Sequence, residues 1–314
     1  MAKFLLTGGA GFIGSNIAQR LLRDGHAVRI IDNFTTGRRE NLAEFENQIE
    51  LIEGDICKTA DINRATAGVD YVVHLAAKPS VIASVEDPRA CHEANIDGTF
   101  NVLMAARDAN VKRLVFSASS SVYGDTPELP NRETFAPRPL SPYAIAKVTG
   151  EYYCKVFSEI YALQCVSLRY FNVFGPKQNP DSQYAAVIPK FIAALLEGKA
   201  PVIFGDGDQT RDFTFVENVY RANVLACTAE GVAGEVFNIA CGEPISVNRL
   251  VEELNKILGT AIEPVYEAER PGEVKYSAAD VGKARKLLKF EATVDIENGL
   301  RQTVEWYKAG KRRV

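Results

Sequence analysis

Short apolar runs alternate with stretches of helical period through the first half of the chain. Residues 3–7, 28–32, 49–54, 71–75 and 114–118 read as strands. Between the first two, residues 12–23 place Ile13, Ile17, Leu21 and Leu22 on one side of a helix, and residues 97–108 predict another. Runs such as Val28-Arg29-Ile30-Ile31 do not alternate cleanly with polar residues, which suits strands covered on both faces. Strands alternating with helices predict right-handed βαβ units.

The texture changes after about residue 170. Pro and Gly punctuate it at Gly175-Pro176, Asn179-Pro180, Gly205 to Asp208 and Arg270-Pro271-Gly272. Helices are predicted over 186–197 and 247–258, and the apolar run 236–240 predicts a strand that returns to the sheet. The expected fold is α/β: a doubly wound parallel sheet of Rossmann type over residues 1–172. A smaller, interleaved C-terminal α/β region over 173–314 would bind substrate.

Composition narrows the function classes. An apolar fraction of 46% excludes a disordered chain. Lys and Arg number 36 against 40 Asp and Glu, so the chain is mildly acidic and ill suited to gripping nucleic-acid phosphates. No run approaches the roughly 20 apolar residues of a membrane span. Phe4-Leu5-Leu6 leads straight into Thr7-Gly8 rather than a signal-peptide pattern, so a cytoplasmic address is expected. Three His and six Cys without a CxxC pair point to neither a metal site nor disulfides.

Candidate chemistry begins at Gly8, Gly11 and Gly14, spaced GxxGxxG between the first strand and its helix. Such a turn lets a pyrophosphate approach the backbone, and the helix N-terminus offers it free N–H groups. Asp32 ends the second strand, where a carboxylate accepts from ribose hydroxyls and repels a 2′-phosphate. NAD is therefore expected over NADP, with Arg38 and Arg39 nearby as the opposing signal. Ser141-Pro142 suits a helix start, and it puts Tyr143 and Lys147 on one helix face. A lysine and an oxidised nicotinamide, both cationic, would favour a phenolate able to act as a base. Ser117 to Gly124 follows the fifth strand, at the sheet end where such folds bind ligands.

Together these residues resemble the extended short-chain dehydrogenase/reductase superfamily over nearly the whole chain, and within it the UDP-glucose and UDP-N-acetylglucosamine 4-epimerase type. The resemblance implies an NAD site at Gly8, Gly11, Phe12, Ile13, Gly14, Asp32, Asn33, Thr36 and Gly37, with Asp55 and Ile56 at the adenine. Leu75, Ala76 and Ala77 would run under the cofactor, and Asn95, Ser117, Tyr143, Lys147 and Tyr170 would complete its site. It makes Tyr143, Lys147 and Ser119 catalytic. It puts Ser119, Ser121, Tyr143, Asn172, Val187, Arg211, Arg270, Glu273 and Ser277 on the UDP-sugar, with Arg211 and Arg270 as diphosphate clamps. Ser277 would border the C2 substituent and leave room for an N-acetyl group. Lys78 stands one place out of the family's register, and no role is assigned to it.

The implied reaction inverts C4 of a UDP-hexose by transient oxidation through NAD. The 4,6-dehydratases need acidic residues where Ser120 and Ser121 stand, and UDP-glucuronate decarboxylases carry Glu at the Ser121 position. A UDP-glucuronate 4-epimerase and a non-catalytic NAD-binding sensor are the alternatives, the latter having no use for Tyr143 and Lys147. A homodimer through helices near 83–110 and 141–161 is expected.

Overall fold

A computed structural model describes residues 1–126, 128–180, 186–269 and 275–311. Six strands of the main sheet come in chain order: β1 (Lys3–Thr7), β2 (Ala27–Asp32), β3 (Glu50–Glu53), β4 (Tyr71–His74), β5 (Arg113–Ser119) and β6 (Cys165–Tyr170). The seventh, β7 (Val236–Ile239), enters from the second half of the chain. Their order in the sheet is β7-β6-β5-β4-β1-β2-β3, and every pairing is parallel.

The sheet is covered on both sides, and its side chains sort strictly by parity. Phe4 and Leu6 of β1, Val28 and Ile30 of β2, Val73 of β4 and Val115 of β5 join one apolar cluster. Leu5, Ile31, Val72, Leu114 and Phe116 join the cluster on the opposite face. This is why the strands read as continuous apolar runs rather than alternating ones. Strand β6 was not anticipated from the sequence. Its Ser167 and Arg169 are polar yet buried, and Arg169 is offset by a two-pronged pairing with Glu151 at 2.8 and 2.7 Å.

The helices are α1 (Phe12–Arg23), α2 (Thr59–Thr66), α3 (Val81–Glu86), α4 (Pro88–His92), α5 (Gly98–Asp108), α6 (Pro142–Ile160), α7 (Val187–Leu196), α8 (Val216–Thr228), α9 (Val247–Leu258) and α10 (Ile296–Lys311). Helices α1 and α8 lie on one face of the sheet, and α2, α5 and α6 on the other. A wide turn over Glu93–Asp97 joins α4 to α5. Helix α6 starts as the sequence implies: the Ser141 hydroxyl accepts from the Ala144 N–H at 3.1 Å, and Pro142 occupies the first turn. It approaches β5 closely because Gly150 has no side chain, where a Cβ would lie 2.4 Å from the Phe116 ring.

Helices α7, α9 and α10 form a separate core with Phe174, Phe213 and Phe215. Strand order reverses direction of growth between β1 and β4, which pair with Thr7 beside His74. In open parallel sheets the crevice beyond the strand ends at that reversal receives ligands. No described helix is long and apolar enough to cross a membrane.

Candidate active site

The crevice begins at the glycine turn. Gly8 adopts φ +69°, and a Cβ there would lie 2.8 Å from the Ala76 backbone N and Cα. The turn and the 75–77 segment thus touch backbone to backbone. At Gly14 a Cβ would fall 2.5 Å from the Gly8 carbonyl oxygen. The first residue before α1 is Gly11, which supplies no side-chain cap, so the helix N-terminus presents open N–H groups beside Phe12 and Ile13. A cradle that any side chain would fill, opening on a helix N-terminus, fits a dinucleotide pyrophosphate.

Asp32 is buried at the end of β2. Each of its oxygens accepts one backbone N–H, Oδ2 from Ala10 and Oδ1 from Phe34, both at 2.9 Å. Burial pushes its carboxyl up against the pull of those two bonds. The remaining lone pairs suit ribose hydroxyls. Gly37 leaves them open, since a Cβ would stand 2.6 Å from Oδ1. Thr36 lies exposed on the same loop. Arg39, a potential 2′-phosphate partner, is instead paired with Glu53 at 2.5 Å and Glu46 at 3.4 Å. Of the two arginines that opposed NAD, Arg39 is thus engaged elsewhere.

Asn33 donates to Asp55 at 3.1 Å, and Asp55 also accepts the Cys57 N–H at 2.8 Å. Burial would raise the Asp55 carboxyl, but these bonds, the Cys57 thiol and Lys58 together hold it below its usual range. Ile56 packs into the core beside α5.

A closed chain of hydrogen bonds holds the strap of residues 75–78. The Thr99 hydroxyl donates to the Asn95 carbonyl at 2.7 Å. It therefore accepts from His74 Nε2, 3.0 Å away, which fixes the proton on that nitrogen. His74 Nδ1 then accepts from the Thr7 hydroxyl at 2.7 Å, and Thr7 Oγ1 accepts from the Leu75 and Ala76 N–H groups at 3.2 Å. Asn95 completes the strap by clasping the Lys78 backbone, accepting its N–H at 2.8 Å and donating to its carbonyl at 3.2 Å. Burial, with help from the Lys147 charge, drops His74 to about 3, so its ring is neutral.

Tyr143, Lys147 and Ser119 converge beyond β5. The Ser119 hydroxyl lies beside the Tyr143 phenol and favours its ionisation, and it accepts the Ser121 N–H at 3.2 Å. The Lys147 ammonium donates to the Ser117 carbonyl at 2.6 Å and sits 5.6 Å from the centre of the Tyr143 ring. Burial pushes the phenol up to about 12 and the ammonium down to about 8. The phenolate expected from the sequence draws on Lys147 and an oxidised nicotinamide together; in the protein alone burial dominates and keeps the phenol protonated.

Ser117 donates to the Tyr170 hydroxyl at 3.2 Å, and Tyr170 lies between it and Asn223 of α8 at 3.0 Å. Burial lifts the Tyr170 phenol to about 12 as well. The Ser121 hydroxyl oxygen is buried without a partner among the described residues.

On the far wall, Asn172 takes φ +35° and donates to the Asp212 carbonyl at 3.0 Å. Arg211 donates to the Thr210 and Lys275 carbonyls at 2.9 and 3.1 Å. Ser277 donates its N–H to the Thr210 carbonyl at 3.1 Å, so Arg211 and Ser277 are neighbours across one short bridge. Val187 opens α7 above the Phe174 and Phe213 core. Arg270 and Glu273 lie outside the described residues.

Several groups had no sequence signal. Cys91 is buried and accepts the Asn95 amide at 3.3 Å beside the Tyr143–Lys147 pair. Asp212 is fully buried and gathers N–H groups from Cys241, Gly242 and Ala279 at 3.0–3.3 Å, with burial raising its carboxyl to about 6. It fastens together the segments that carry Arg211 and Ser277. The resemblance singles out Arg211 in the same run, but nothing local marks Asp212, whose partners lie 29 to 67 residues further along the chain.

Residues 4–240 match the family described as NAD dependent epimerase/dehydratase. The UDP-glucose 4-epimerase of Mycolicibacterium smegmatis is 38% identical over 97% of this chain and 98% of its own. A solved UDP-N-acetylglucosamine 4-epimerase from Methanobrevibacter ruminantium, in complex with UDP-N-acetylmuramic acid, superposes with TM-score 0.94 and 42% identity, covering 98% of this chain and 99% of that one. A UDP-glucuronic acid 4-epimerase from Bacillus cereus, solved with UDP-glucuronic acid and NAD, gives TM-score 0.90 and 36% identity over 98% and 99% of the two chains.

Proposed function

We propose that this chain, which belongs to the NAD-dependent epimerase/dehydratase family, inverts C4 of UDP-hexoses, interconverting UDP-GlcNAc with UDP-GalNAc and UDP-Glc with UDP-Gal. The observation that carries the reading is the Ser119–Tyr143–Lys147 cluster at the mouth of a nucleotide crevice. NAD fits the Gly8–Gly14 cradle and Asp32, with Leu75, Ala76 and Ala77 beneath it. When bound, it supplies reversible hydride acceptance at the sugar C4.

The chain's own residues manage protons and position. Tyr143 takes the C4 hydroxyl proton as a phenolate and later returns it, while Ser119 holds the same hydroxyl in place. Lys147, anchored on the Ser117 carbonyl, keeps a positive charge behind the ring and adds to that of the oxidised cofactor. Inversion requires both faces of the 4-keto sugar to be presented, so the sugar must turn while its diphosphate stays held. Arg211 and Asn172 serve the diphosphate, with Arg270 as a second clamp and Glu273 accepting from the ribose hydroxyls. Ser121 offers a hydroxyl that has no partner among the described residues, and Val187 borders the nucleotide. Ser277 leaves space beside C2 for an N-acetyl group.

Residues 1–172 with β7 form the cofactor half, and the interleaved 173–314 region carries substrate. Val81, Ile82 and Val85 of α3 and Ile145, Tyr152 and Ile160 of α6 expose apolar surface on adjoining helices, which supports a homodimer. Six free cysteines accord with a cytoplasmic enzyme. The test incubates purified protein with UDP-GlcNAc, UDP-Glc or UDP-GlcA without added NADH. Conversion of the first two to their C4 epimers is expected. Turnover of UDP-GlcA alone would make it a uronate epimerase, and NAD binding without turnover would make it a sensor.

A further inference from the structure

The turn Gly175-Pro176-Lys177 opens the second half of the chain, yet it is bonded to the cofactor half on two sides. Lys177 adopts φ +69°. Its ammonium donates to the Asn41 carbonyl at 2.8 Å and lies 4.9 Å from the centre of the Phe45 ring, which is buried. Asn41 in turn donates from its amide to the Ala10 carbonyl at 2.9 Å. Ala10 belongs to the glycine turn, and its own N–H holds Asp32 at 2.9 Å. The Arg38 N–H reaches the same Ala10 carbonyl at 3.0 Å.

The neighbours of Lys177 are fastened too. The Pro176 carbonyl accepts from Asn16 of α1 at 2.9 Å, and Asn16 also bonds the Phe12 carbonyl at 2.8 Å. The Gln178 carbonyl accepts from the Tyr307 hydroxyl of α10. A single turn of the chain therefore ties α1, the loop after Asp32 and α10 together. The ammonium is largely withdrawn from water, and burial brings it down to about 8, with Glu44 favouring its charge and Arg23 opposing it. A charged donor on a backbone carbonyl in such surroundings is among the stronger hydrogen bonds of a protein.

We propose that Lys177 is a cofactor latch: by clamping the Asn41–Phe45 loop it holds the loop after Asp32 closed against the glycine turn, so that NAD leaves only when this bond opens. The inference rests on the NAD reading of the glycine turn. Closure and cofactor binding are then linked, each favouring the other. The latch also couples cofactor retention to the start of the substrate region, which suits a reaction that regenerates its cofactor every cycle. Lys177 is a positioning residue, since it acts through the loop.

The test is Lys177→Met, which keeps the apolar stem over Phe45 and removes the donor. NAD content after purification, the NAD dissociation rate and the NAD-induced rise in unfolding temperature are measured for both proteins. Loss of a charge-assisted bond predicts dissociation faster by at least about tenfold. It also predicts a smaller NAD-induced rise in unfolding temperature, with Lys177→Arg recovering retention. Asn16→Ala, which frees the Pro176 carbonyl, should shift NAD release in the same direction and gives an independent reading if Lys177→Met folds poorly. Unchanged NAD dissociation in these variants overturns the latch, as does an equal loss of stability with and without NAD. Failure of the unmodified protein to bind NAD would instead overturn the cofactor reading itself.

Discussion

His74 should make the stability of this protein depend on pH between neutrality and mild acid. The ring is buried, neutral and committed on both nitrogens, accepting from Thr7 and donating to Thr99. An unfolded histidine titrates near 6.5, whereas burial and Lys147 bring this one to about 3. The folded value lies below the unfolded one, so the stability it contributes is present above about 6.5 and is lost as pH falls toward 3. Between pH 7 and pH 5 the loss comes to about 2 kcal/mol at 1.36 kcal/mol per unit. His74→Phe keeps a ring against Phe116 but strands the Thr7 hydroxyl, costing about 1–3 kcal/mol at neutral pH. The variant should then fail to lose the further 2 kcal/mol or so on acidification, so the two proteins converge near pH 5. Urea unfolding of both cofactor-free proteins at several pH values gives the double difference, in which other titrating groups cancel. Parallel pH dependences in the two proteins would refute a neutral, doubly bonded His74.

Three further outcomes follow from the crevice. Gly8→Ala forces a left-handed alanine, costing about 1–2 kcal/mol, and drives a Cβ into the Ala76 backbone; NAD affinity measured by titration should fall more than about tenfold, and an unchanged value would contradict the backbone contact. Tyr143→Phe should lower turnover by about two to four orders of magnitude while NAD still binds, and near-normal turnover would exclude the proposed base. Ser277→Tyr should abolish activity on the N-acetylated pair and spare UDP-Glc and UDP-Gal, whereas equal loss of both would undermine the gate at C2.

Local patterns carried most of what the sequence revealed. The glycine turn, Asp32 and the Tyr143–Lys147 pair are legible because each depends on residues a few positions apart and on one strand end or helix start. Strand β6 escaped notice because Ser167 and Arg169 interrupt its apolar run, and their burial makes sense only once Glu151 of α6 lies opposite. Long-range partners were equally invisible. Tyr170 meets Asn223, and Lys177 meets Asn41, across sequence separations of 53 and 136 residues. Spacing also could not reveal how burial sets the Tyr143 and Lys147 proton affinities, because the low-polarity surroundings come from Phe116, Cys91 and other elements of the fold.

The most direct test of the central claim follows the hydrogen at C4. UDP-GlcNAc deuterated at C4 is converted in ordinary water by the purified protein without added NADH, and the product is examined by NMR. Transient oxidation with return of the same hydride predicts UDP-GalNAc that retains deuterium at C4. Exchange of that deuterium with solvent, or no C4 epimer at all, would contradict the account.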